Sequence, residues 1–404
     1  MIAAPPPHRE APRSPLRILY HFRNRGDGAE AVHIAGIAGA FRRLGHEVRF
    51  ESPTGVDPFA NKGLISYRTR PGGVTGWLRG PASWCRGFVF EFLEIAYNPF
   101  AIYRLSRKLR AAPAELLYER HAFFLFATAW VATRRGLPLI IEINELVGDP
   151  RVRAQPFLAP FARWTARYSF FRASLLVVVS PHLRRRLLDL GLPSDKILVL
   201  PNAVDERDYA SLPPAAATRR RHAFGEGELL IGFIGWFVPW HQLDRLIACF
   251  ADLTSEFPGI RLVLVGEGEL GADLRRLAVD LGVSDSVAFV DPVPHHEIPS
   301  LLAAMDVCVV PQSNAYRSPI KLFEYMAAGR AVVAPRTEPI AGVCDDGEEA
   351  LLFDPGSAGS LTAALRRLLG DAALRETLGA AARERVLRDH TWSGNAARIL
   401  DALA

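Results

Sequence analysis

The chain has 404 residues, 49% hydrophobic and 23% charged, with 48 Lys and Arg against 43 Asp and Glu for a net charge of +5. That length predicts two or three domains with a substantial interior and excludes a disordered or fibrous chain. Four widely spaced cysteines, Cys85, Cys249, Cys308 and Cys344, form no C-x-x-C pair, which argues against a disulfide framework or zinc knuckle and fits a reducing cytoplasm.

The positive charge is almost entirely arginine, since Lys62, Lys108, Lys196 and Lys321 are the only lysines. This balance suits anionic partners such as lipid headgroups or nucleoside diphosphates. Nucleic acid is not expected, because the arginines are spread along the chain without a basic-aromatic module. Residues 1–15 are proline-rich, lack the apolar core of a signal peptide and read as a disordered tail. No apolar run reaches the roughly 18 residues of a spanning helix, so a soluble or peripherally bound protein is expected.

An N-terminal domain is predicted over residues 16–205. Leu16 to Tyr20 reads as a short strand, a loop with Gly26 and Gly28 follows, and Val32, Ile34, Ile37, Phe41 and Leu44 set a helical period that ends at Gly45. Further strands are predicted at His46 to Phe50, Leu116 to Tyr118, Leu137 to Ile143, Leu175 to Ser180 and Ile197 to Leu200, the alternation of a doubly wound α/β sheet. Tyr118-Glu119-Arg120-His121 lies just past one strand end. One unit later Glu142 and Asn144 alternate with apolar residues, which puts both on the face opposite Ile141 and Ile143. Two stretches, Trp77 to Arg110 and Phe157 to Arg172, interleave aromatics with arginines. They suit either a membrane interface or amphipathic helices packed on the sheet.

Residues 206–228, with Pro213-Pro214 and the basic run Arg219 to Arg221, read as a linker. A second β/α series fills residues 229–388, and Leu243, Leu246, Ile247, Phe250 and Leu253 form one apolar helical stripe. Three motifs stand in this half. In Gly232-Phe233-Ile234-Gly235-Trp236-Phe237-Val238-Pro239-Trp240-His241-Gln242, a glycine ends a buried strand where a phosphate or backbone can approach. Val265-Gly266-Glu267-Gly268 repeats a strand with a flexible turn. The apolar strand Met305 to Pro311 then leads to Ser318-Pro319-Ile320-Lys321-Leu322-Phe323-Glu324-Tyr325-Met326-Ala327-Ala328-Gly329, where a proline turn opens a helix carrying a cation and a carboxylate. An anion would meet free N–H groups of that helix start beside Lys321. Glu324, one turn on, is either an acceptor for sugar hydroxyls or a glutamate that complements the helix dipole.

These motifs, in this order from about Leu16 to Trp392, resemble the family 4 retaining glycosyltransferases of the GT-B fold, in particular bacterial enzymes of exopolysaccharide and surface-glycan synthesis. The resemblance implies two Rossmann-like domains facing across a cleft, with residues 389–404 crossing back to the N-terminal domain. It implies a nucleoside diphosphate sugar donor, with UDP or GDP, and a glycan or lipid-linked acceptor. Glu324 would bind the donor ribose, Lys321 and the backbone of Ser318, Pro319, Ile320 and Leu322 the diphosphate and sugar, and Gly266 and Glu267 would lie near the nucleobase. His121 would stand close to the donor sugar, while Gly26, Gly28, Glu142 and Asn144 would serve the acceptor side, where hydroxyls need paired donors and acceptors. Ser180 and Asn202 match family turn positions with structural roles.

Two departures from the family pattern stand out, and the absence of an acidic triplet agrees with a metal-independent enzyme of that fold. Trp236 and His241 occupy positions usually held by arginine and lysine, so two fixed charges on the diphosphate are gone, although His241 keeps a hydrogen bond to offer. Tyr316 stands where the first glutamate of the Glu-x7-Glu pair belongs, which weakens any mechanism built on that carboxylate. No D-x-D triplet occurs anywhere, so no metal ion is expected and charge neutralisation falls to Lys321 and helix starts. The expected function is a retaining, metal-independent transferase without a cofactor, in the cytoplasm or peripheral on the inner face of the membrane. The alternatives are a nucleotide-sugar epimerase of the same fold and a degenerate, non-catalytic binding partner.

Overall fold

The computed structural model describes residues 14–23, 28–55, 57–59, 83–149, 155–357 and 359–403. The first half alternates β1 (Arg17–His21), α1 (Gly28–Arg43), β2 (Glu47–Glu51), α2 (Ser83–Ala111), β3 (Leu116–Arg120), α3 (Ala127–Arg135), β4 (Leu139–Ile143), α4 (Ala159–Arg172), β5 (Leu175–Val178), α5 (Pro181–Asp189) and β6 (Ile197–Val199). Its strands pair in parallel in the order β2-β1-β3-β4-β5-β6. Runs such as Leu175-Leu176-Val177-Val178 are apolar on both faces because helices cover both sides of a parallel sheet.

The second half continues with α6 (Ala215–Arg221), β7 (Leu229–Ile234), α7 (Leu243–Thr254), β8 (Ile260–Val265), α8 (Gly271–Asp280), β9 (Val287–Val290), α9 (Ile298–Ala304), β10 (Val307–Val309), α10 (Ile320–Ala327), β11 (Ala331–Pro335), α11 (Glu338–Ala341), β12 (Leu351–Phe353), α12 (Ser360–Gly370), α13 (Ala372–Asp389) and α14 (Trp392–Ala402). Its parallel order is β12-β11-β10-β7-β8-β9, so the winding reverses between β7 and β10. Ligands of open α/β sheets gather at the carboxyl ends of strands flanking such a reversal. In the N-terminal sheet the reversal lies between β1 and β3.

The stretch 206–228 is not the bare linker expected from its prolines and arginines. Tyr209 and Phe224 are buried in the C-terminal core, and Arg219 of α6 donates to the Ala304 carbonyl at 3.2 Å and pairs with Asp306 at 2.9 Å. The basic run is thus partly spent on satisfying the end of α9, and α6 packs as an element of the C-terminal domain. At the chain's end α14 returns to the N-terminal domain, where Trp392 is buried with its ring 4.7 Å from His33 of α1.

The domains also meet beside the reversal. Asn202 donates from its backbone to Ser318 Oγ at 2.9 Å and from its side chain to the Ser318 carbonyl. On the surface Arg185 of α5 grips Glu338 of α11 with two bonds, of 2.5 and 2.6 Å. Asn202 is therefore more than a turn residue, since it joins the two halves at the loop that opens α10.

Candidate active site

The loops after β7 and β8 approach so closely that only glycine fits. Gly266 adopts φ +139°, and a Cβ there would lie 2.0 Å from the Gly235 carbonyl oxygen. A Cβ on Gly235, at φ +151°, would lie 2.6 Å from Lys321 Nζ. The glycine that ends β7 therefore makes room for the lysine of α10, and Gly266 makes room for Gly235. An apolar pocket opens beside this contact, lined by Ile234, Val265, Pro292, Val293 and Ile298.

Helix α10 is fixed to β7 by Tyr325, whose buried hydroxyl accepts from the Ile234 N–H at 2.9 Å. Leu322 and Phe323 are buried in the core, so Leu322 has only its backbone to offer a ligand, and that N–H already donates to the Pro319 carbonyl at 3.1 Å. Pro319 precedes the first turn without a side-chain cap, which leaves the N–H groups of Ile320 and Lys321 as donors at the helix start. Lys321 lies against the Phe233 ring at 3.9 Å and 3.5 Å from His241 Nε2. Burial holds its ammonium at about 7, although the Glu324 carboxylate works the other way. His241 is pushed down to about 2, by burial first and then by Lys321 and Arg317. It is a neutral ring here, with Nε2 beside Lys321 Nζ and Nδ1 buried, so it does not replace a lost positive charge.

Glu324 is nearly buried and hydrogen-bonded to His295 Nε2 at 2.8 Å. His295 comes from the turn before α9, and nothing in its local sequence pointed to this pairing. With Ile320, Tyr209 and Trp392, the pair lines a second pocket that reaches α1 of the other domain. Glu324 and Lys321 are thus brought together with Gly235 and Gly266 at the reversal of the C-terminal sheet. Trp236 follows Gly235 half-buried, and the Glu267 carbonyl accepts from the Phe237 N–H at 2.9 Å.

The position of the missing first glutamate has an unexpected occupant role. Tyr316 buries its ring in the core of the N-terminal domain, near His182, while its hydroxyl accepts from Arg317 Nε at 3.2 Å. It joins the domains as an apolar wedge. Arg317 reaches over Trp240 and Tyr316 and adds a cation near His241 that sequence reasoning passed over.

On the N-terminal side His121 follows β3, with its ring 4.9 Å from Phe170 and 6.1 Å from Phe123. Glu142 and Asn144 are joined to each other in the N-terminal domain. Glu142 is buried and accepts from Arg120 Nη1 at 2.5 Å, Asn144 Nδ2 at 2.7 Å and Tyr118 at 3.1 Å, with His33 Nδ1 at 3.3 Å. Burial raises its carboxyl, but His33 and Arg120 outweigh that and hold it below its usual range. Its oxygens are committed to a network tying β3, β4 and α1, into which half-buried Asn144 donates through Nδ2. Gly28 is the first residue of α1, whereas Gly26 lies outside the described residues.

Two family models match, one described as Glycosyltransferase Family 4 over residues 28–208 and one as Glycosyl transferases group 1 over residues 215–385. The GDP-mannose-dependent alpha-(1-6)-phosphatidylinositol monomannoside mannosyltransferase of Mycolicibacterium smegmatis is 28% identical over 291 residues, 69% of this chain and 76% of that protein. The D-inositol 3-phosphate glycosyltransferase of Stackebrandtia nassauensis is 31% identical over 296 residues, 70% of this chain and 66% of the relative. Among solved structures, Anabaena HepE in complex with UDP superposes with a TM-score of 0.70 at 16% identity over 96% of this chain and 99% of its own. A glycosyltransferase from Rickettsia africae gives 0.73 at 13% identity over 97% and 98%. With one model matched on each domain and the same fold along nearly its whole length, the chain belongs to the group 1, family 4 glycosyltransferases and is a transferase of the GT-B fold.

Proposed function

We propose that this enzyme moves a sugar from a nucleoside diphosphate donor to a glycan or lipid-linked acceptor in polysaccharide synthesis, with retention and without a metal ion. It would work in the cytoplasm, peripherally on the inner face of the membrane. The observation that carries the donor reading is the placement of Lys321 and Glu324, one turn apart on α10, against the Gly235 and Gly266 loops at the sheet reversal. A mannosyltransferase relative named GDP-mannose-dependent and a structural neighbour holding UDP keep both nucleotides as candidates.

In this reading Lys321 and the N–H groups of Ile320 and Lys321 face the diphosphate, Glu324 accepts from the ribose hydroxyls, and the pocket beside Gly266 and Glu267 takes the base. Gly235, Trp236 and His241 form the wall along the diphosphate, and the Ser318–Pro319 backbone borders the sugar. His121 would face the donor sugar from the other domain. A front-face displacement fits Tyr316. The acceptor oxygen bonds to the anomeric carbon as the carbon–oxygen bond to the diphosphate breaks on the same face, and the acceptor proton passes to the departing phosphate oxygen. No protein nucleophile is consumed. Domain closure would keep water from the donor.

A panel of nucleotide sugars screened by thermal stabilisation, followed by product analysis with and without acceptor, tests this. A bound donor at about 100 Kd should add roughly 2.7 kcal/mol. Products altered in the donor sugar without acceptor would favour an epimerase, and binding without turnover a non-catalytic partner. Activity should survive EDTA; its complete loss, restored by Mg2+ or Mn2+, would overturn the metal-independent assignment.

A further inference from the structure

Helix α2 buries Ala101, Leu105 and Leu109 against the N-terminal domain, yet its outer face is apolar as well. Its inward face carries a carboxylate and an amide. Glu91 accepts from the Phe157 and Leu158 N–H groups at 2.7 and 2.9 Å, at the start of α4. Asn98 accepts from Phe126 and Ala127 at 2.8 and 3.0 Å, which secures the start of α3, and donates to the Phe124 carbonyl. On the outward face Val89, Phe92, Leu93, Phe100 and Tyr103 follow one another at helical spacing, and Phe92, Leu93 and Tyr103 are 54%, 64% and 57% exposed. The same stripe continues into Arg107 and Arg110, both exposed.

Helix α4 extends this surface. Phe157, just before it, is 54% exposed and lies against Gly87 of α2, where an added Cβ would come within 2.6 Å of its ring. Along α4, Arg163, Trp164, Arg167 and Phe171 face outward, and Arg167 sits over the Phe171 ring at 4.6 Å. Scattered exposed apolar residues need no explanation, but two adjoining helices with aromatic outer faces do.

Charge selects the partner. Across residues 87–111 and 157–172 the only acids are Glu91, held in its cap, and Glu94, paired with Arg23 at 2.8 Å. Arg107, Arg110, Arg163, Arg167 and Arg172 are exposed on the same two helices. A second copy meeting this surface face to face would set arginine against arginine. Rings at headgroup depth beside cations that meet anionic lipid fit a bilayer surface. No described helix is long and apolar enough to cross a membrane.

We infer that α2 and α4 form one docking surface that seats the enzyme on an anionic bilayer, with Phe92, Leu93, Phe100 and Trp164 entering the headgroup region. This deepens the peripheral placement proposed above and rests on it, whereas nucleotide binding is a separate reading. Arg104 and Lys108 belong to the fold and not to this surface, since both pair with buried Glu51, at 2.6 and 2.8 Å.

Flotation of the full chain with phosphatidylcholine vesicles, with and without phosphatidylglycerol, tests the inference. The wild type should float with the anionic vesicles at low salt and be released as salt rises. A triple variant, Phe92→Ser, Leu93→Ser and Trp164→Ser, should partition at least about tenfold less. Arg163→Gln with Arg167→Gln should remove the preference for anionic over neutral vesicles. The melting temperature and stabilisation by nucleotide sugar should be unchanged in both variants, so a failure here is separable from a failure of the donor site. Wild-type protein that stays unbound at low salt, or a triple variant that floats like wild type, would overturn the inference. So would a wild-type dimer that the triple variant converts to monomer without any vesicle binding.

Discussion

Lys321 should make donor binding depend on pH in a defined direction. Its ammonium is held at about 7, chiefly by burial. A bound diphosphate would favour the charged form and raise that value again. Below pH 7 the cation is already present, so affinity should be constant. Above pH 7 the free enzyme loses the proton, and donor binding must take one up. Affinity should then fall by up to about tenfold, or 1.4 kcal/mol, per pH unit until the bound-state value is reached. A nucleotide sugar is the right titrant, because an esterified diphosphate lacks the terminal phosphate proton that titrates near 6. His241, held at about 2, stays neutral throughout this window. Calorimetry at three pH values in two buffers of different ionisation heat reads the proton uptake directly. Lys321→Met should bind about 1.5–3 kcal/mol more weakly, with no uptake and no slope. Wild-type binding that is flat from pH 6 to 9, with a Lys321→Met variant of equal affinity, would show that this lysine does not meet the diphosphate.

Two further variants, one single and one double, check the architecture. Gly266→Ala would force a side chain into φ +139° and onto the Gly235 carbonyl, costing about 1–3 kcal/mol in backbone strain and a similar amount in overpacking; a lowered melting temperature and lost stabilisation by nucleotide sugar are expected. Arg104→Ala with Lys108→Ala would leave Glu51 buried and unpaired, a loss of up to about 3–5 kcal/mol in urea unfolding, and adding Glu51→Gln should recover part of it.

Much of the fold was legible because parallel strands covered on both faces are written as apolar runs between turn residues, as in Leu175 to Val178 and Val307 to Val309. The start of α10 was legible for a related reason: the proline turn before Lys321 and Glu324 marks a helix opening locally. What could not be read were long-range partners. Arg219 reads from its neighbours as part of a linker, while its partners Ala304 and Asp306 lie more than 80 residues away. The alternation at Glu142 gave its face but not the Arg120 and Tyr118 groups of the neighbouring strand that consume it. His295 is 29 residues from Glu324, and no spacing rule connects them. The aromatics of α2 were visible in the sequence, but their outward direction is set by the opposite face, which buries Ala101, Leu105 and Leu109.

The central claim is that α10 carries the donor site of a nucleotide-sugar transferase, and Glu324→Ala tests it most directly. Glu324 is a carboxylate on the pocket side of its helix, held by His295. The measurement is turnover of the donor identified by the panel, for wild type and variant side by side, with the melting temperature of each. Loss of charged hydrogen bonds worth about 1.5–3 kcal/mol each predicts that transfer falls by at least about tenfold, and toward abolition if both ribose contacts are lost, while the melting temperature stays close to wild type. Near-normal transfer by a folded Glu324→Ala protein would contradict the account.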